Sequence, residues 1–190
     1  MVKRVGIADL RKIHEDHCKW LKTIGAEGCC ANLSGEKMSG TKINEVNLSQ
    51  ANLSGADLSC ANLWGVKMRG VNLKNAYMKG IHLMNGVDLS DADLSDADLS
   101  KSNMYNGRKG TNLSNANLFN ANLSKAIMHS ADLKNTNFKD ANLSKTDLRC
   151  THNLTIKQLS EAKTLYKSKL DPELMEQARE RYPHLLKKPK

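Results

Sequence analysis

The chain has 190 residues, a formal net charge of +9, 39% apolar residues and only 4% aromatic ones. That length suffices for one domain with a core, but two Phe, two Trp and four Tyr are too few large rings for the usual compact interior. No run of about 18 apolar residues exists to span a bilayer. The five cysteines (Cys18, Cys29, Cys30, Cys60, Cys150) are odd in number and unevenly spaced, which predicts a cytoplasmic protein without a disulfide framework. Lys3 and Arg4 follow Met1, but no apolar stretch or small-residue cleavage site comes after them, so no secretion leader is expected.

In chain order, residues 1–30 predict an N-terminal capping helix. Within 7–24, Leu10, Ile13, His17, Trp20, Leu21 and Ile24 recur at helical spacing and stop before Gly25. From Ala31 to Cys150 the chain repeats in fives: ANLSG, EKMSG, TKINE, VNLSQ, ANLSG, ADLSC, and so on. Each unit has Leu, Met, Ile or Phe at its centre and, two residues earlier, most often Ala, Val or Thr. On an α-helix a step of five turns each Leu by about 140° from the last, smearing the apolar residues around the surface. In a straight strand an odd step alternates faces. If the chain instead turns a corner after every centre, at Gly, Asn or another residue suited to a tight turn, all the Leu and Ala side chains point inward. After the repeats, residues 151–190 predict two short helices and a basic tail. Thr155 and Gln158 form a capping box opening a helix through about Lys163, and Asp171-Pro172 opens another to about Arg181. The tail is Lys187 to Lys190.

The A(D/N)LXX units resemble the pentapeptide-repeat family. The resemblance covers residues 31–150 and implies an all-β solenoid: a right-handed quadrilateral β-helix with four units per coil, about six coils, and α-helical caps at both ends. The flanks are similar to the helical ends of many bacterial members. Caps have a physical rationale, because a stack of coils exposes unpaired edges at top and bottom.

Laid out on four walls, the centres form columns. The first wall takes Leu33, Leu53, Leu73, Leu94, Leu113 and Leu133. The second takes Met38, Leu58, Met78, Leu99, Leu118 and Phe138. The third takes Ile43, Leu63, Leu83, Met104, Leu123 and Leu143, and the fourth Leu48, Met68, Leu89, an irregular slot near Arg108–Lys109, Met128 and Leu148. One extra residue before Leu89 and a short spacing before Leu113 are expected to cancel. Glu36 occupies a small-residue slot and is expected at an exposed end. With the inward positions filled, no internal hollow is expected, and Ser95 is expected to face outward.

A filled tube predicts a non-enzymatic protein with no catalytic residues and no cofactor, because catalysis needs a pocket that gathers polar groups. No metal site is expected either: His14, His17, Cys18, Cys29 and Cys30 match no closed four-ligand spacing. The outward residues Trp64, Met84 and Tyr105 fall on successive coils of the third wall, beside the broken register. Clustered exposed apolar groups suit a protein contact, so these three are the candidate partner-binding residues. The expected role is a protein-binding or scaffolding module. The alternative, which the resemblance implies, is a DNA-mimicking modulator of DNA gyrase or type II topoisomerase, as in quinolone-resistance proteins, with Asp88, Asp91, Asp93, Asp96 and Asp98 as its acidic patch. Residues 31–150 carry 14 basic and 11 acidic groups, a balance that disfavours mimicry. Nucleic-acid binding is not expected, since no basic stripe with stacking aromatics is visible. Membrane association is not expected, and a monomer or weak side-by-side dimer is.

Overall fold

The computed structural model describes residues 7–105 and 110–189. Helix α1 (Ile7–Lys22) is followed by three short strands, β1 (Lys42–Asn44), β2 (Asn62–Trp64) and β3 (His82–Met84), then by α2 (Ile156–Ser160), α3 (Pro172–Arg181) and a 3-10 turn at Pro183–Leu186. The strands form one parallel sheet in which Lys42 pairs with Asn62 and Asn62 with His82. Each step from one partner to the next spans four repeat units, so one turn of the coil has four walls. The other walls are joined by single-residue parallel bridges in the same sense, such as Asn32–Asn52–Asn72 and Lys37–Asp57–Tyr77.

The five-residue unit satisfies its own backbone donors. In the first wall, Asn52 N–H donates to the Ala31 carbonyl below it (2.9 Å), Leu33 N–H to the Asn52 carbonyl above (2.7 Å), and Gly35 N–H to Ser54 O (2.9 Å). Glu36 N–H turns back to Leu33 O (3.2 Å). The fifth donor, Ser34 N–H, has no coil to meet and is accepted by the Asn32 side chain (3.2 Å). Asp57 serves Ser59 in the same way (3.0 Å) and Asp93 serves Ser95 (3.0 Å). The Asn/Asp preference one residue before each centre follows, because its side chain supplies the acceptor that no neighbouring coil offers to the N–H two residues on. Among the described residues the corner residue has positive φ, as at Gly35 (67°), Asn75 (57°) and Asp91 (59°).

The core is the column of centres with the small residues between them. Leu33, Leu53, Leu58, Leu73, Leu94, Leu99, Leu113, Leu118, Leu133 and Phe138 are all at most 2% exposed. Their columns differ from the sequence expectation after Met104. Lys67 pairs with Asp88, one position beyond its regular partner, and Asp88 pairs with Asn112, four positions beyond. The two irregularities therefore add and do not cancel. One residue is inserted at the Asn85–Gly86 corner, where both have positive φ. Four more lie between Tyr105 and Gly110, which bridge each other antiparallel. Leu113 and Leu133 thus belong to the fourth wall, Leu118 and Phe138 to the first, Leu123 and Leu143 to the second, and Met128 and Leu148 to the third. Arg108 and Lys109, where a fourth-wall centre was expected, lie outside the described residues, and Leu113 fills that wall.

Three smaller expectations also change. Ile24 does not join the helical stripe: α1 ends at Lys22, and Ile24 sits at φ 54°, 96% exposed. Helix α2 stops at Ser160, short of Lys163. Ser95 is buried, as are Ser90 and Ser100.

The ladder does not stop at residue 150. His152 bridges Asp132, Thr164 bridges Asn142 and Lys169 bridges Asp147. Between them α2 replaces a first-wall unit and drives Leu159 into the core. The Thr155–Gln158 capping box is formed, and the same Gln158 amide donates to the Leu133 and Thr136 carbonyls (2.7 and 3.0 Å). Asp171 stands at the α3 N-cap without capping it; its carboxylate accepts Cys150 N–H instead (3.0 Å).

Candidate functional site

Wall three carries the candidate contact. Trp64 and Met84 are register partners on β2 and β3, and both point outward because each follows a buried centre, Leu63 or Leu83, along an extended chain. Trp64 is 43% exposed and Met84 is half-buried. Tyr105 occupies the next rung of the same column. Its N–H is held by the Asn103 side chain (3.1 Å), and its ring meets His129 edge-on at 4.7 Å between centroids. Counting units placed Ser124 and Ser144 beyond Tyr105; the shifted register puts His129 and Arg149 there. His129 was missed because only the size of the 105–110 insertion brings it beside Tyr105. Tyr77 and Phe119, exposed as well, lie on other walls.

The five aspartates of the alternative reading do not gather on one side. Asp88 lies on wall four, Asp91 at the next corner, Asp93 on wall one, Asp96 at the following corner and Asp98 on wall two. Each is bound into the fold. Asp88, Asp93 and Asp98 accept from the side chains of Asn112, Asn117 and Asn122 at 3.0–3.1 Å. Asp96 accepts from Asn120 (2.9 Å). Asp91 accepts from Asn115 (3.0 Å) and pairs with Arg69 (2.9 Å).

The histidines and cysteines near the N-terminus are used structurally. His17 Nδ1 accepts Ala31 N–H (3.1 Å) and His14 Nε2 accepts Asn47 N–H (3.2 Å), so both imidazoles serve backbone donors of the first coil, which has no coil below it. Burial pushes the His17 pKa down. Cys18 Sγ lies 3.3 Å from His14 Nε2, and the Cys30 thiol donates to Gln50 O (3.3 Å). All five cysteines are free thiols.

The expectation of a filled molecule without hollows does not hold at the N-terminal end. Between α1 and the first coil lies a half-open apolar cleft of about 580 Å³, lined by Ile13, His14, Leu33, Met38, Ile43 and Val46 among others. Glu36, in its small-residue slot of the first coil, is half-buried, with one carboxylate oxygen shielded from water and unpartnered. Arg11, His14, Thr41, Lys42 and Asn44 also line the cleft, whose surface is mainly apolar.

The coil, its five-residue hydrogen-bond unit and its inward Leu columns define a pentapeptide-repeat solenoid. The sequence profile of pentapeptide repeats matches residues 37–75, 47–83, 83–107 and 111–149 in eight copies, and the chain belongs to that family. No match was found among curated proteins. Among solved structures, HetL, a pentapeptide repeat protein involved in heterocyst differentiation regulation from the cyanobacterium Nostoc sp. strain PCC 7120, is 24% identical over 75% of this chain and 73% of its own, with a TM-score of 0.47. Trypsin-treated QnrB1, a plasmid-mediated fluoroquinolone resistance protein, is 19% identical over 81% and 84%, with a TM-score of 0.50. A pentapeptide repeat protein of the Arabidopsis thaliana thylakoid lumen is 29% identical over 62% and 68%, with a TM-score of 0.18. No helix among the described residues is long and apolar enough to cross a membrane.

Proposed function

We propose that this chain is a non-enzymatic protein-binding rod that uses the Trp64–Met84–Tyr105 column as its contact. The observation that carries this reading is the in-register pairing of Trp64 with Met84 on the outer side of the three-stranded sheet, next to the insertion bracketed by Tyr105 and Gly110. Large apolar groups on a flat β surface bury area on contact without reshaping the protein. The reading extends to a right-handed rod of about six coils with helices over both ends, binding as a monomer or weak side-by-side dimer and needing no cofactor. Five free thiols support a reducing, cytoplasmic setting, and the likeness of the helical flanks supports a bacterial one.

The test is Trp64→Ser combined with Tyr105→Ser. The expected outcome is unchanged thermal unfolding with loss of a partner that the wild-type chain captures from host extract and retains in a purified binding assay. Retention by the double variant overturns the reading. The gyrase-directed alternative is the weaker one, because the aspartates wrap three walls and are tied to neighbouring side chains. A supercoiling assay at micromolar protein measures it directly, and inhibition or protection of the enzyme would restore it.

A further inference from the structure

The corrected register creates a feature that counting residues along the chain hides. At the corner between walls two and three, the last four rungs carry Lys101, Lys125, Lys145 and Lys167. Their stacking is fixed by the backbone. Lys101 N–H donates to Ser124 O (2.9 Å), Lys125 N–H to Ser144 O (2.9 Å), and Lys145 N–H to Tyr166 O (2.8 Å). Coils repeat at about 4.8 Å, so four ammonium-bearing side chains leave one straight edge over about 14 Å. All four residues are exposed, and among the described residues none joins an ion pair. Two aspartates close to the row in sequence, Asp98 and Asp147, are engaged by other groups. Asp98 accepts from Ser100 N–H and the Asn122 amide, and Asp147 faces Arg149 and Lys169.

Folding alone does not favour this arrangement. Each lysine sits at φ 58–64°, a region that Gly and Asn occupy more readily, and other corners of this molecule use Asn at that slot, as at Asn115, Asn120 and Asn135. Like charges on adjacent rungs also repel. A row that opposes both local preferences is the kind of conflict expected where a surface binds something.

The geometry points to the phosphate backbone of a nucleic-acid duplex, gripped along the Lys101–Lys167 edge without reading of base sequence. Lysine supplies a point charge suited to phosphate, whereas paired carboxylates are better matched by the planar fork of Arg, and the row holds no Arg. Ser124 and Ser144, half-buried, precede Lys125 and Lys145 on their rungs, so two hydroxyl-bearing residues accompany the lysines, the usual company of a phosphodiester contact; Ser100, before Lys101, is buried. The aromatic neighbour along this edge, Tyr166, lies under Lys167, whose Nζ is 5.4 Å from the ring centre. No second ring follows Tyr166 along the Lys101–Lys167 edge for unpaired bases to stack on, which favours a duplex over a single strand.

The experiment titrates full-length protein into a labelled DNA duplex of about 20 base pairs between about 50 and 200 mM salt. Four neutralised phosphates give a slope of log affinity against log salt of about −3.6. Lys125→Asn with Lys145→Asn keeps a residue suited to the corner while removing two charges. It should weaken binding at least tenfold and flatten the slope by about 1.8, with unfolding unchanged. Lys74→Asn with Lys139→Asn, on wall one, removes the same net charge and should change affinity less than twofold. Equal losses in the two pairs, absence of duplex binding at the lowest salt, or ladder-dependent binding of polyglutamate tighter than that of the duplex would each overturn the proposal.

Discussion

The two ends of the rod meet the same physical problem in different ways. At each, a coil presents backbone groups with no neighbouring coil to pair them. At the C-terminal end the chain continues the columns: Leu159, Leu165 and Leu170 occupy core positions, and Leu165 N–H donates to Leu185 O (2.8 Å) as the chain folds back over the last rung. At the N-terminal end α1 lies across the first coil, reaches it through two imidazoles and leaves an apolar cleft. An end that continues the repeat inherits its close packing, while an end covered by a helix of different pitch is matched only where individual side chains reach. The C-terminal end should therefore be the more cooperative with the shaft.

The largest expected effect probes that difference. Leu165→Ala empties a fully buried site and should cost about 2–5 kcal/mol in denaturant unfolding. Ile43→Ala, beside the cleft and half-buried, should cost less than half as much. Comparable losses would mean that both ends are packed alike. Next comes Gly110→Ala at the close of the insertion, where a Cβ would run into the Ser130 carbonyl. A destabilisation of about 1–3 kcal/mol is expected, and a neutral result would show that Gly110 and the Ser130 carbonyl can separate without cost. Gln158→Ala, which removes the capping box and two bonds to shaft carbonyls, should cost about 1–2 kcal/mol.

Acidification should separate the ends more gently. The unfolded His17 side chain takes up a proton near pH 6.5, whereas burial holds the folded imidazole's pKa lower. The unfolded state then binds more protons, so stability falls as pH drops below about 6.5 and levels off beneath the folded value. Asp147 works in the same direction at lower pH: a hydrogen bond from Arg149 holds its carboxyl below the usual range, so its contribution is present above the ordinary carboxylate value of about 3.9 and is lost as the pH falls from there through the folded value. Hydrogen exchange at about pH 5.5 should accelerate for the Ala31 amide, held by His17, before those of Leu165 and Lys169. Simultaneous acceleration would make the rod one cooperative unit. The smallest effect expected is for Ser34→Ala, an exposed position that should stay within about 0.5 kcal/mol.

Much of this molecule can be read from its residues. The inward Leu and Ala positions, the positive-φ corners and the helix beginning after Asp171 all follow from local chemistry that recurs or stands alone. The misreading began at two insertions. A period counted in fives registers an insertion only modulo five, so one extra residue before Leu89 and four before Leu113 look like errors that cancel. Every centre from Leu113 onward stays in the core while moving to the neighbouring wall. Inside the tube the change is invisible, since all walls bury similar side chains. Outside it decides which polar residues are neighbours, including Tyr105 beside His129 and the stacking of Lys101, Lys125, Lys145 and Lys167.

The sequence by itself determined that the chain coils, how each unit satisfies its inward face, and that residues 31–150 share one interior, because those properties repeat every few residues and depend on near neighbours. Only the tertiary structure decided what lies above and below each residue, how the first coil is covered and how the last one continues. These relations join residues a full turn of the coil apart, and their register depends on how many residues are inserted between one rung and the next, a number that local residue preferences do not encode.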